Sequence, residues 1–280
     1  MNAKFTIENE MQDLFSDPQV TLSLGSEVKA LSLNNANVSE VLYEHEGKEL
    51  KAFCDLCVLG ANPIFNTAIL LRSGFIDSEL GKGISEQLSL MVKVHLKGLK
   101  NFNGSTSVTA NGYMLYDTER RREAGACLIE SSNIPVLRFE KGRHDEVAVF
   151  KLLVEDLPLK ENFIKLNTNS DKPEIVFKDF SEYGKAGLKK AQENIEKILS
   201  PLPIEKIEFA LQTGRSQAHL IGSTIMGSDA KLSIVDPDLV HHKARNLLVL
   251  GSGAFPTMSP SNPTLTICAL SLRAAERLGI

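Results

Sequence analysis

The sequence has 280 residues, 42% of them hydrophobic and 24% charged, with a formal net charge of -4. A chain of that size and balance buries a substantial core, in one large or two modest domains. The weak negative charge gives no reason to expect nucleic acid or an anionic membrane as partner, and no apolar run reaches the roughly 18–20 residues of a membrane span.

Residues 1–10 are polar and acidic, unlike a secretory signal. A cytoplasmic location is the expectation, with export through a partner chain left open. Up to about Gly74, strand-like runs alternate with polar turns. Residues 38–45, the turn Glu46-Gly47-Lys48 and a second run over 50–59 read as a hairpin entering a buried strand. Cys54 and Cys57 form a C-x-x-C inside that second run. Residues three apart on one strand face opposite sides, which disfavours a shared metal or a redox pair. A punctuated helix follows, with Asn62 as N-cap, Pro63 at the first helical position and Gly74 as the stop. Strand, Gly60-Ala61 turn and helix make a β-α unit.

From about 84 to 210 short β-rich runs dominate, at 90–96, 147–154, 163–166 and 174–177. One amphipathic helix interrupts them, with Leu188, Ala191, Ile195, Ile198 and Leu199 on one stripe. Cys127 and Cys268 sit among apolar neighbours and read as buried small hydrophobes. His241-His242 reads as a solvated pair near a strand start. β-α texture then returns: an apolar strand over 246–250, a Gly251-Ser252-Gly253 turn, and a last helix opened by Asn262-Pro263 and closed by Gly279. Its Leu265, Cys268, Ala269 and Leu272 follow helical spacing. The two β-α units predict an α/β plus α+β fold. An α/β domain forms from residues 1–80 and 231–280, and an antiparallel-sheet domain over 81–230 is inserted between them.

Signatures of serine hydrolases, zinc proteases and P-loop enzymes are absent from the sequence. A histidine, a glycine-flanked strand end and an Asn-Pro helix start suit removal of hydride from an alcohol, which needs a base for the hydroxyl proton and an organic acceptor for the hydride. His219 is the natural base, since an unperturbed histidine titrates near 6.5. Asn262 can hold the substrate oxygen while capping a helix whose N-terminus favours negative charge. Taken singly, each residue also has an ordinary reading: a structural histidine, an N-cap, a glycine turn.

The order of motifs changes this. His219-x-x-Gly222-Ser223 with Met226-Gly227 is followed by Val235-Asp236-Pro237-Asp238-Leu239. Next come Asn246-Leu247, Val249, Gly251-Ser252 and Phe255-Pro256-Thr257, then Asn262-Pro263-Thr264-Leu265-Thr266-Ile267 and Ala269-Leu270-Ser271-Leu272-Arg273. This series resembles the C-terminal half of the glucose-methanol-choline (GMC) oxidoreductases, and within them the bacterial FAD-dependent sugar and polyol dehydrogenases. Gly60-Ala61-Asn62-Pro63 with Leu70-Leu71-Arg72-Ser73-Gly74, and Glu155 to Pro158 with Asn162 to Leu166, extend the match upstream.

The resemblance implies an FAD-dependent oxidoreductase of a CH–OH group in a sugar or other alcohol. His219 is then the catalytic base, passing hydride to flavin N5, and Asn262 is its partner. Gly60, Ala61, Gly251, Ser252, Pro263 and Thr264 line the cofactor. Ser223 stands where the family usually has Thr, and Ile225 where sugar-type members usually have Arg. No Gly-x-Gly-x-x-Gly occurs anywhere. In the family that motif holds the adenosine diphosphate, so the resemblance implies a split enzyme. A second chain carries the ADP-binding unit in a heterodimer, and apolar surface around Val58 and Leu248 awaits it. The alternatives are a non-catalytic scaffold or binding subunit on the same frame, or a lyase.

Overall fold

The computed structural model describes residues 6–101, 108–116, 119–214 and 216–279. Two short helices, α1 (Ile7–Glu10) and α2 (Gln12–Ser16), precede strands β1 (Ser26–Asn34), β2 (Asn37–His45), β3 (Lys48–Phe53) and β4 (Cys57–Leu59). Helix α3 (Asn62–Arg72) leads to β5 (Leu88–Leu96), β6 (Val108–Leu115), β7 (Cys127–Ser132), β8 (Val147–Val154), β9 (Phe163–Lys165) and β10 (Glu174–Val176). Helix α4 (Glu182–Ile198), β11 (Ile204–Phe209), β12 (Leu247–Val249) and helix α5 (Thr264–Leu278) complete the order.

β1, β2 and β3 form an antiparallel meander. The run over 50–59 is not one strand: it breaks at 54–56, and β4 leaves the meander for a different sheet. There it lies parallel to β12, with Cys57 opposite Leu247 and Leu59 opposite Val249. A parallel pair needs a crossover between its strands, and here about two thirds of the chain intervenes. Its core draws on both ends: Cys57, Leu59, Ile69 and Leu70 pack with Leu239, Val240, Leu247, Val249 and Ala274.

α3 begins as its punctuation predicts. Asn62 Oδ1 accepts the Ile64 and Phe65 amides, at 3.0 and 3.1 Å, doing the work of a cap. The break beside β4 also alters the cysteines. Cys54 and Cys57 straddle a bend rather than sharing a strand. Burial pushes the Cys57 thiol up to about 12, so it is a poor nucleophile. Cys127 is buried as expected, but Cys268 is exposed on α5. His241 is not solvated. It is fully buried, edge-on to Phe75 with its Nε2 3.6 Å from Asp77 Oδ2, and burial pushes it down to about 4.

The middle of the chain builds a five-stranded antiparallel sheet in the order β11-β5-β8-β7-β6. β5 shows why it forms: Leu90, Val92, Val94 and Leu96 are buried while Met91, Lys93 and His95 are half-buried, the period of two that separates the faces of a sheet. Leu188, Ala191 and Ile195 of α4 pack on it, beside Leu152 and Val154. β6, β7 and β11 have no counterpart in the sequence reading: β11 buries no residue fully, and β7 buries the charged Glu130 alongside Cys127, Leu128 and Ile129. Leu152 lies fully buried on the central strand β8. Truncating it to alanine is expected to cost about 2–5 kcal/mol, read as a lowered urea midpoint at unchanged slope. Among the described residues no helix is long and apolar enough to cross a membrane.

Candidate active site at the meeting of the two cores

The site is built where residues 216–224 run between the two cores. Ser216 Oγ donates to Glu86 Oε2 at 2.7 Å, and the His219 amide donates to Glu86 Oε1 at 3.2 Å. Ala218, at φ +60°, turns the chain between these two bonds. Ile221 then pairs with Ser85 through reciprocal 3.0 Å backbone bonds. The Gly222 amide reaches the Ser252 carbonyl at 3.2 Å, and Ser252 Oγ returns a 2.6 Å bond to the Leu220 carbonyl. The histidine segment is thus clamped between residues 83–87 on one side and the 251–253 turn on the other.

Asn66, fully buried on α3, joins the ends of the two parallel strands. Its Oδ1 accepts the Ala61 amide at 2.9 Å, and its Nδ2 donates to the Leu250 carbonyl at 3.0 Å. Gly60 and Gly251 therefore open side by side at the C-terminal ends of β4 and β12. That is where open α/β sheets take ligands. Gly251 has φ +103°, and a Cβ at either glycine would meet no atom within 4 Å. Space lies in front of both.

Asn262 does not cap α5. That helix starts at Thr264 with no side-chain cap, so its first-turn N–H groups remain free for an acceptor. The Asn262 amide instead donates to Glu130 Oε1 at 3.3 Å. Glu130 is buried on β7 opposite Lys151 of β8, whose Nζ lies 4.0 Å from Oε2. Asn262 and Pro263 line a cavity of about 460 Å³ with Met226, Phe255 and Met258, a volume suited to a small organic ligand. Ser252 takes part through its backbone and the bond to Leu220. Thr264 is exposed at the helix start, beside the buried Pro263.

His219 is half-buried, and its Nδ1 lies 2.8 Å from Gln87 Oε1. Burial lowers its pKa below the ordinary 6.5; Glu86 and then Glu130 oppose this, and Lys151 adds to it. Glu130 thus acts on the histidine while bonding Asn262. Gln87 joins the same two residues another way, since its Nε2 donates to the Ser259, Pro260 and Ser261 carbonyls just before Asn262. Glu86, Gln87 and Glu130 were not foreseen from the sequence. The only signal was a polar Glu-Gln pair at the mouth of an apolar run.

A parallel strand pair with open glycines thus lies beside a half-buried histidine and a side-chain amide. Residues 158–271 match the C-terminal domain of the family described as GMC oxidoreductase. Over that segment the chain is similar to the GMC oxidoreductases, whose cofactor is FAD.

A C-glycoside 3-oxidase of Arthrobacter globiformis is 23% identical over 98% of this chain and 54% of its own length. The fructose dehydrogenase large subunit of Gluconobacter japonicus is 31% identical over 38% of this chain and 19% of its own. Formate oxidase of Aspergillus oryzae has the same fold, with a TM-score of 0.71 at 13% identity over 92% of this chain and 60% of that one. Pyridoxine 4-oxidase from Mesorbium loti superposes with a TM-score of 0.65 at 16% identity, over 91% and 58%. The chain spans about half the length of the relatives it matches most fully.

Proposed function

We propose that this chain forms the substrate and flavin-ring side of an FAD-dependent enzyme that oxidises a CH–OH group of a sugar or related alcohol. The observation that carries the reading is the pair of links between His219 and Asn262, one through Gln87 and one through Glu130. FAD, when bound, supplies the hydride acceptor. His219 takes the hydroxyl proton on Nε2, and Asn262 holds the substrate oxygen, so loss of the C–H hydride and the O–H proton leaves a carbonyl. The residues present fit the ring end of FAD: glycines with open space before them, and an uncapped α5 N-terminus that favours negative charge. The names of two relatives, C-glycoside 3-oxidase and fructose dehydrogenase, favour a sugar as substrate.

The other end of the cofactor needs a grip that these residues do not supply. We propose that a second polypeptide brings a Gly-x-Gly-x-x-Gly unit and covers the apolar surface beside the strand pair. Val58 is 48% exposed, and Leu56, Phe65, Leu265 and Leu272 are exposed as well. Leu248 is not part of that surface. It is buried, because Val240 bridges to it from the other side of β12.

The test is to isolate the tagged chain from its host with whatever accompanies it, and to record flavin absorbance anaerobically with and without sugars. The expected result is an assembly containing FAD that sugar bleaches, and little FAD on the chain alone. A yellow, well-behaved monomer overturns the two-chain arrangement. A flavin that no sugar or alcohol bleaches overturns the oxidation.

A further inference from the structure

Gln87 is nearly inaccessible, and every polar atom of its side chain is engaged. Nε2 donates to three carbonyls, of Ser259 at 3.0 Å, Pro260 at 2.8 Å and Ser261 at 3.3 Å. Carbonyl oxygens only accept. Turning the amide over would set its own oxygen against all three, so its orientation is not free. Oε1 therefore faces His219 Nδ1, at 2.8 Å, and has no hydrogen to give. The hydrogen in that bond must come from the ring.

A neutral imidazole carries one N–H. With that hydrogen on Nδ1, Nε2 is left with a lone pair. Neither neighbouring carboxylate alters this. Glu86 is occupied by the His219 and Gln87 amides and by Ser216 Oγ, while Glu130 serves Asn262 and Lys151. Among the described residues Gln87 is the ring's one hydrogen-bond partner. The anchoring carbonyls are themselves secured, because Tyr116 bonds the hydroxyls of Ser259 and Ser261 at 3.2 and 3.1 Å.

We propose that Gln87 is a positioning residue that locks His219 in the Nδ1–H tautomer, leaving Nε2 as the proton acceptor, and that ties the histidine to the segment carrying Asn262. The use of that lone pair rests on the function proposed above; the tautomer does not. Gln87 touches no reacting atom. It acts by setting which nitrogen is basic, as the residue behind an active-site histidine commonly does.

The experiment labels the full chain, in its assembly, with ¹⁵N-histidine and reads both ring nitrogens of His219 by long-range ¹H–¹⁵N correlation, with His219→Ala for assignment. The expected wild-type spectrum above the titration range shows Nδ1 protonated and Nε2 bare. Gln87→Leu removes the acceptor, so the Nε2–H form, the one free imidazole prefers in water, becomes the major species. Flavin reduction by substrate then slows roughly 10²-fold or more, since a wrong tautomer behind a catalytic base costs up to about 10⁴, while KM changes little. A wild-type Nε2–H ring overturns the proposal, even where the leucine variant fails to fold. So does an unchanged tautomer in Gln87→Leu. An Nδ1–H ring in an assembly whose flavin no alcohol bleaches would sink the oxidation and leave the lock standing.

Discussion

Replacing His219 by alanine in the assembled enzyme is expected to slow anaerobic reduction of the flavin by substrate by roughly 10²–10⁴-fold, the ordinary worth of a general base. Folding should survive, because among the described residues the half-buried side chain makes a single hydrogen bond, to Gln87. FAD content and the urea midpoint should therefore stay near the wild-type values. The pH profile supplies the sign. A base must be neutral to accept a proton, so the rate falls as pH drops through its pKa and is level above it. Burial sets that pKa below 6.5, against the pull of Glu86 and Glu130. The acidic limb of the wild-type profile should accordingly lie below pH 6.5, and His219→Ala should erase it. A variant that keeps wild-type reduction rates removes His219 from the chemistry.

Gly222→Ala should be strongly damaging although it adds a single methyl group. Gly222 has φ +82°, and a Cβ there would run into the Gly83 carbonyl oxygen, which is backbone and cannot swing aside. The left-handed conformation costs a non-glycine residue of order 1–3 kcal/mol, and overpacking typically costs about 1–3 more. A loss of roughly 2–6 kcal/mol in urea-induced unfolding is expected. Whatever yields must part the 219–223 segment from residues 81–87, which would move the histidine off Gln87. Stability and flavin reduction should fall together, unlike in His219→Ala, where only reduction falls. A wild-type unfolding midpoint would show that this close approach is not made.

Several elements were legible because their causes are local. α3 announced itself through Asn62, Pro63 and Gly74, and α4 through a stripe that faces the sheet at Leu188, Ala191 and Ile195. The strands β5 and β8 were plain from their apolar alternation or continuity. Other expectations misjudged which neighbour wins. The run over 50–59 is uniformly strand-like, yet β3 pairs with β2 while β4 pairs with β12, some 190 residues away. His241 looked solvated beside His242, yet Phe75 and Asp77 bury it. Asn262 looked like a cap, yet Glu130 takes its amide.

The resemblance to the GMC oxidoreductases lay in residue order. His219, the glycine turn at 251–253 and the Asn262-Pro263 helix start carry their meaning as a series, because side-chain type and helix or turn geometry are properties of short segments. Their convergence is different in kind. Gln87 reaches His219 across 132 residues and the Pro260 carbonyl across 173, and no local periodicity encodes such separations. Which nitrogen of the histidine is bare depends on an amide oriented by three distant carbonyls, and only packing brings those together.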